Sequence, residues 1–466
     1  MRIQMNKPRI GILALMQGLY DKSQPEIPAE QSAFVQKVMC RLDEAAEFVF
    51  PGLAKEREQV ERYVKQFQYE ELDGIMILNV MYSPGLKLIQ AFKKNTLPVL
   101  LANIQPIARV EDYWDWHYLT TNQGIHGIQD TANMLLRLGY DPAIITEDWQ
   151  SEAFCSYVKD WALAAAAVHG LAKTRTACFE KMKNMGDILG DEFAFFKVFG
   201  MELLHEGIGS VQACLERVTE QEIDAQIAED RKNFNIDEKL SEEAHRYAAR
   251  LQLAFEKYCE EKNYDGFTAN FDVFGEDGRF RQLPLLAASN MMAKGYAYAA
   301  EGDVHTIVLM ALGQLLTGCA QFTEMYSLDF ERDACMFAHM GEGNWKTARK
   351  DRPVRLIDRP LDIGGLDNPP TPVFSVEPGT ATVASLAALS GDRYRIVAMK
   401  GTVLDEKEIG GIPMNHTFFR PDSGVKKAMD SWLQAGGTHH EVLLCGDRMR
   451  QLEMVCRILG IEFREV

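Results

Sequence analysis

RIGILAL (residues 9–15), EFVFPG (47–52), GIMILNV (74–80) and PVLLANI (98–104) decide the fold of this chain. Each is short, apolar and bounded by Gly, Pro or charge, which is the pattern of a buried strand. Between them, Ala29 to Leu42, Lys55 to Phe67 and Gly85 to Phe92 carry helical periodicity. Strand–helix alternation at this spacing predicts a parallel sheet covered on both faces. Ligands of such sheets meet the loops beyond the strands' carboxyl ends. Here those loops hold Gln17, Tyr20, Tyr82 and Asn103. No GxGxxG follows the first strand, which speaks against a dinucleotide.

Downstream the pattern changes twice. From Thr174 to Thr317 long helices dominate, with charged amphipathic stretches at Glu220–Phe234 and Ser241–Lys262. YDGFTANFD (264–272) and GYAYAAEGD (295–303) are strand-like, and Leu283–Ala293 is helical. Asp303 is the expected N-cap of an apolar helix over Val304–Leu316, which leaves Glu301 in a loop at a helix N-terminus. Beyond Gly318 the chain turns to β: ATVASLAAL (381–389), a Ser-Gly-Asp turn and RYRIVAMKG (393–401) predict an antiparallel hairpin. A last helix, Arg448–Leu459, precedes a terminal strand at IEFREV. The chain therefore divides into an α/β domain over 1–173, a second α/β domain over 174–317 and a β-rich domain over 318–466.

Composition narrows the function. The 466 residues suffice for two or three cores, and 47% hydrophobic with 25% charged residues describes a folded protein. A net charge of −17 disfavours nucleic acid and anionic membranes as partners. Nine scattered cysteines without a CxxC pair indicate reduced thiols and a cytoplasmic location. IGILALM (10–16) is a first strand, not a signal peptide, and no run reaches the ~20 apolar residues of a membrane span.

Four residues carry the candidate chemistry. Glu301, Glu324, His339 and His440 lie in AAEGD, FTEMY, FAHMG and AGGTHHE, segments that packing alone does not explain. Two carboxylates and two imidazoles can hold a divalent cation with positions left open for a substrate. Oxygen and nitrogen donors without thiolate point to Mn²⁺, Mg²⁺, Fe²⁺ or Co²⁺. A strand through CMFAHM (335–340) would set Cys335, Phe337 and His339 on one face. His439 and His440 follow Gly436-Gly437, and His416 in GIPMNHTFF is read as structural. The aromatics of YWDWHY (113–118) are read as a surface or subunit contact.

An ordered series of motifs links these residues to a known family. QLPLLAASNMMAKGYAYAAEGD, FTEMYSLDF, AHM, DIGGLDNP, ATVASLAALSGDRYR, QAGGTHH and DRMRQLEMVCRILGIEF run in order from Gln282. Upstream, TANFD, LGDEFAFFKVFGM, TNQGIH and, more weakly, MQGLY continue the series. The chain resembles the L-arabinose isomerase family and, more distantly, the L-fucose isomerase group. The resemblance implies a flavodoxin-like N-terminal domain, a second α/β domain and a C-terminal β-barrel. It implies a divalent metal, Mn²⁺ first with Co²⁺ or Mg²⁺ as alternatives, on Glu301, Glu324, His339 and His440. Glu301 and Glu324 would also be the catalytic pair. Gln17, Tyr20, Tyr82 and His126 match sugar contacts that reach the metal site of a neighbouring subunit, in a homotrimer or homohexamer. Phe271 and His439 match pocket residues. The implied reaction is aldose–ketose isomerisation, L-arabinose to L-ribulose in the simplest case. L-fucose, D-arabinose or D-galactose, or a non-catalytic sugar-binding role, are the alternatives. LMQGLYD stands where the family usually has SQxLYG, and the separations of 23 and 15 residues between Glu301, Glu324 and His339 are short. Those departures bear on the sugar more than on the reaction.

Overall fold

The computed structural model describes residues 2–4, 6–275, 278–361 and 365–466. The first three residues of the DIGGLDNP motif, 362–364, lie outside the described residues. The chain divides into two compact units, Asn6–His169 and Met1–Met5 with Gly170–Val466.

In the unit Asn6–His169, strands β1 (Arg9–Leu15), β2 (Glu47–Val49), β3 (Gly74–Asn79), β4 (Val99–Asn103) and β5 (Ala143–Thr146) form one parallel sheet. Its order is β2-β1-β3-β4-β5. β1 buries every residue but Arg9, and β3 buries all six, as strands covered on both faces must. The helix Arg57–Tyr69 shows why the periodicity was legible. Glu56 and Gln59 close a capping box at its start, and Val60, Tyr63, Val64 and Phe67 face inward at helical spacing. Phe67 crosses so close to β1 that a Cβ on Gly11 would stand 2.6 Å from its ring, so glycine is required there. The order reverses direction between β1 and β3, the usual place for a ligand crevice in a doubly wound sheet. Gln17 and Tyr20 follow β1, and Tyr82 follows β3.

Among the described residues, the unit Met1–Met5 with Gly170–Val466 contains three sheets. The first is parallel, with β6 (Arg175–Phe179), β7 (Glu202–His205), β9 (Gly266–Ala269) and β10 (Ala297–Ala300) in the order β10-β9-β6-β7. β8 (Phe234–Ile236) instead joins a small sheet. The large sheet begins with β11 (Gln321–Asp329) and β12 (Ala334–Ala338). β13 (Val354–Asp358) and β14 (Pro370–Val373) complete the small sheet, ordered β14-β13-β8. The large sheet continues with β15 (Gly379–Ala388), β16 (Tyr394–Val403), β17 (His416–Pro421), β18 (His440–Cys445) and β19 (Glu462–Glu465). Its order is β15-β18-β11-β12-β17-β16-β19, and β15 also pairs with β16. The ladder from β15 through β18, β11, β12, β17 and β16 thus returns to its starting strand. Cys335, Phe337, Val383, Val397, Met399, Phe419 and Leu443 from these strands share one buried cluster with Trp432.

The expected hairpin is present, with Ala381 to Ala388 of β15 paired antiparallel to Gly401 to Tyr394 of β16. Long helices run over Glu220–Asn233, Glu242–Lys262 and Thr306–Thr317. One local expectation differs. β12 ends at Ala338, so His339 lies one residue past the strand, away from the Cys335–Phe337 cluster.

Candidate active site

Glu301 is the first residue after β10, with φ +62. A left-handed backbone is uncommon for a residue with a side chain and needs support from its surroundings. Met182 N–H donates to the Glu301 carbonyl at 2.8 Å, and a Cβ on Gly302 would stand 2.2 Å from the Glu180 carbonyl. The loop after β6 therefore clamps the loop after β10. Glu301 is pinned with its carboxylate free to project.

His440 is the hub of the group. It is fully buried, and its Nε2 lies 3.6 Å from Glu301 Oε2. Across the β11–β18 ladder it stands directly opposite Glu324, in the register that sets two side chains side by side on one face. Its ring centroid is 5.2 Å from that of His339. Phe322 packs edge-on against both imidazoles, at 5.0 Å from His339 and 5.1 Å from His440. The four residues of the sequence reading thus meet around one imidazole. The tightest group differs from that quartet, however. Ligand-type atoms of Glu301, His439 and His440 all lie within 4.8 Å of one another. The His439 and His440 rings are tilted by 39° to one another, with centroids 4.0 Å apart.

Each imidazole is oriented by an acid through its Nδ1. Asp303 Oδ2 accepts from His440 at 2.9 Å, Glu342 Oε1 from His339 at 3.0 Å and Asp187 Oδ2 from His439 at 2.7 Å. The helix Thr306–Thr317 begins two residues later than expected, with His305 and not Asp303 at its N-cap position; Asp303 Oδ1 still accepts from the backbone of His305 and Thr306 at 2.8 and 2.9 Å. Glu342 further accepts from the buried Tyr298 hydroxyl at 2.9 Å. This is the arrangement in which a carboxylate fixes one ring nitrogen and the other faces a ligand. Glu301 Oε2, His439 Nε2 and His440 Nε2 are buried and find no hydrogen-bond partner. Three convergent polar atoms without partners are costly unless something else satisfies them.

The charges are strongly coupled. Burial pushes the Glu301 carboxyl up, but His439, His440 and His339 outweigh it and hold it below the usual carboxylate range. Burial acts the same way on Asp303 and Glu342, and their imidazole partners hold both down. Burial opposes charge on His339, yet Glu342, Glu324 and Glu301 raise it. His439 is lifted to about 10 by Asp187 and Glu301 against its burial, and Asp187 is lowered to about 2, chiefly by the His439 hydrogen bond. Glu441, opposite Thr323 on the same ladder, is pushed well above the usual range by burial and by Glu324.

Beside this group lies a small cavity of about 30 Å³, lined by Phe271, Leu285, Tyr298, Glu301, His339 and Met340 among others. Phe271 is thus a wall next to two of the four candidate ligands. The remaining sequence-derived residues belong to the unit Asn6–His169. Gln17 and Tyr20 are half-buried, and the Tyr20 hydroxyl accepts from Gln123 at 3.1 Å. Tyr82 meets the exposed His126 edge-on at 6.4 Å. The loops after β1 and β3 and the start of the helix Gly124–Arg137 therefore gather these residues at the sheet's carboxyl end. His416 is held at both ring nitrogens, by Ile409 N at 2.8 Å and Met414 O at 2.9 Å. That occupancy suits a structural part.

Sequence reasoning missed Asp187, Glu342 and Tyr298, and gave Asp303 only its capping role. A signal existed for Glu342, three residues after His339. None existed for Asp187, which meets His439 across 252 residues of chain.

The chain matches the L-arabinose isomerase N-terminal domain over residues 4–173, the central domain over 175–319 and the C-terminal domain over 319–462. It is 26% identical over 460 residues to an L-arabinose isomerase of Leuconostoc mesenteroides, covering 95% of this chain and 96% of that one. To the L-arabinose isomerase of a Nocardioides species it is 30% identical, over 75% of this chain and 71% of the relative. To that of Bacillus subtilis it is 26% identical, over 87% and 83%. Among solved structures, a periplasmic solute-binding protein of Actinobacillus succinogenes with bound D-allose aligns with a TM-score of 0.18 at 11% identity. That alignment covers 62% of this chain and 89% of the other, and at such a score it carries no argument.

Proposed function

The chain belongs to the L-arabinose isomerase family, and on that premise we propose that it interconverts L-arabinose and L-ribulose with a divalent cation. The observation that carries the reading is the gathering of Glu301, Glu324 and His339 about His440, with buried atoms of Glu301 and His440 that find no hydrogen-bond partner. The donor set suits a hard or borderline cation, Mn²⁺ first and Co²⁺ or Mg²⁺ next. Glu301, Glu324, His339 and His440 would hold it. Bound there, the cation would polarise the two sugar oxygens whose carbonyl and hydroxyl character must exchange.

The chain's own residues then divide the work. Isomerisation takes a proton from C2 and returns one to C1, and Glu301 and Glu324 are the carboxylates for base and acid. Glu301 is ionised at neutral pH by its imidazole neighbours, as a base must be. Phe271 and Tyr298 form apolar walls that limit water beside the reacting carbons. Asp303 and Glu342 hold their imidazoles in one tautomer.

The N-terminal sheet, with its β2-β1-β3-β4-β5 order, is read as flavodoxin-like, and the returning ladder of six strands as the C-terminal barrel. The division at 173 and 317 is kept as the domain plan. Gln17, Tyr20, Tyr82 and His126 are assigned to the sugar held at a neighbouring subunit, in a trimer or a dimer of trimers. Nine free cysteines support a reducing, cytoplasmic setting, and no helix among the described residues is long and apolar enough to cross a membrane. The test is ketose formation from each free aldopentose and aldohexose, with Mn²⁺ and after chelation. L-Arabinose should give the highest kcat/KM, and turnover should vanish on chelation. Turnover undiminished by rigorous metal removal, or absent with every aldose, refutes the reading.

A further inference from the structure

Asp187, the acid on His439 Nδ1, makes a second hydrogen bond to the same residue of the site. Its Oδ2 accepts from the His439 backbone N–H at 3.0 Å and from His439 Nδ1 at 2.7 Å. A single oxygen thereby fixes both the main chain and the ring. What is left of the imidazole is Nε2, buried and without a hydrogen-bond partner; its contact with Glu301 Oε2 is an ion pair at 3.8 Å, beyond hydrogen-bond reach. The ring also packs against His440, tilted by 39° with centroids 4.0 Å apart.

The loop that delivers Asp187 is itself tied down. Met182 N–H donates to the Glu301 carbonyl, His305 Nδ1 donates to the Asp187 carbonyl at 2.9 Å, and Lys181 Nζ donates to the Gly190 carbonyl at 3.3 Å. The His305 ring is stacked on Phe195 at 5.5 Å. Both ends of the segment are anchored, so Asp187 is a fixed post. Its side chain is 40% exposed, and replacing it empties no core.

A sugar beside Glu301 presents several hydroxyls, each needing a partner in a site that excludes water. We propose that Asp187 is a positioning residue acting through His439, holding Nε2 beside Glu301 to hydrogen-bond an oxygen of the sugar. The inference rests on the isomerase reading above. It separates His439, as a sugar contact, from His440 and His339 as holders of the cation.

The test is a double-mutant cycle over wild type, Asp187→Ala, His439→Gln and the pair together. Each is read by calorimetric binding of L-arabinitol, a polyol that cannot isomerise, to Mn²⁺-loaded protein. Mn²⁺ affinity, kcat and KM are measured alongside. Asp187→Ala should weaken polyol binding and raise KM about tenfold, the worth of one charge-assisted hydrogen bond. Asp187→Asn, which keeps an acceptor for both N–H groups, should lose less. The pair should be no worse than His439→Gln alone, since a residue that acts through another contributes nothing once the other is gone. Mn²⁺ affinity should stay within about twofold of wild type in Asp187→Ala. Additive losses, no effect of Asp187→Ala, or no polyol binding to wild type overturn the inference. A tenfold or greater loss of Mn²⁺ affinity in Asp187→Ala also overturns it, making His439 a ligand of the cation. Polyol binding without turnover of any aldose would refute the isomerase reading and leave the cycle able to decide the role of Asp187.

Discussion

Replacing Asp303 by Asn should uncouple metal binding from folding. Asp303 has one oxygen on the N-terminus of the helix Thr306–Thr317 and the other on His440 Nδ1, with its side chain only 1% exposed. An asparagine keeps Oδ1 for the backbone N–H groups of His305 and Thr306, so the helix cap survives. Its NH₂ then faces His440 Nδ1, which must become an acceptor. The ring proton moves to Nε2, the nitrogen 3.6 Å from Glu301 that a cation would need as a lone pair. Loss of such an orienting partner typically costs about 10- to 100-fold in metal affinity, or about 1.4–2.7 kcal/mol. Asp303→Ala is the contrast. It also forfeits the cap, worth about 1 kcal/mol, and leaves a buried imidazole unpaired, about 1–3 kcal/mol. Titration calorimetry of Mn²⁺ into metal-stripped protein, beside thermal unfolding of the same samples, separates the two. The Asn variant should unfold near wild type and bind weakly, and the Ala variant should fail in both. An Asn variant with wild-type Mn²⁺ affinity would show that the Asp303–His440 bond has no part in holding a cation.

Glu301→Gln and Glu324→Gln should each lower kcat by roughly 10²–10⁴-fold while far-UV circular dichroism stays unchanged, and either one retaining wild-type turnover removes that residue from the mechanism. Rising pH should act with opposite signs on the stability of the metal-free protein and on its Mn²⁺ affinity. His339 and His439 are raised above 6.5, so their contribution to stability is full below that value and fades as pH climbs through the raised ones. The melting temperature of metal-free protein should therefore fall from neutral pH upward, whereas Mn²⁺ affinity, which needs unprotonated imidazole, should rise over the same range. A Mn²⁺ affinity that is flat in pH would count against imidazole ligands. Mixing inactive His126→Ala chains with inactive Glu301→Gln chains should restore activity through one mixed interface; exchange of subunits without recovered turnover, shown by mass spectrometry, refutes a shared site.

What could be read in the chain and what could not follows from the range of each interaction. The helix Arg57–Tyr69 was legible because its cap and its buried face are spelled within fourteen consecutive residues, Glu56 to Tyr69. β1 and β3 were legible because a strand buried on both faces has no alternation to confuse. His339 was placed on the face of Cys335 and Phe337 because period 2 was carried one residue too far, and nothing local marks Ala338 as the last paired residue. The site itself is almost wholly non-local. Glu324 meets His440 only because β11 pairs with β18 in one register, and a slip of one residue would put Thr323 opposite His440 and turn Glu324 to the other face. Asp303 shows the limit most sharply. Its bonds to the helix N-terminus span two and three residues and lie close to the capping role expected of it, while its second oxygen reaches His440 across 137 residues and had no local signal. All three bonds come from one carboxylate, so the residue that holds the N-terminus of the helix Thr306–Thr317 also fixes the imidazole at the centre of the site. A buried acid with one oxygen on a helix N-terminus is therefore a place to look for a histidine on the other.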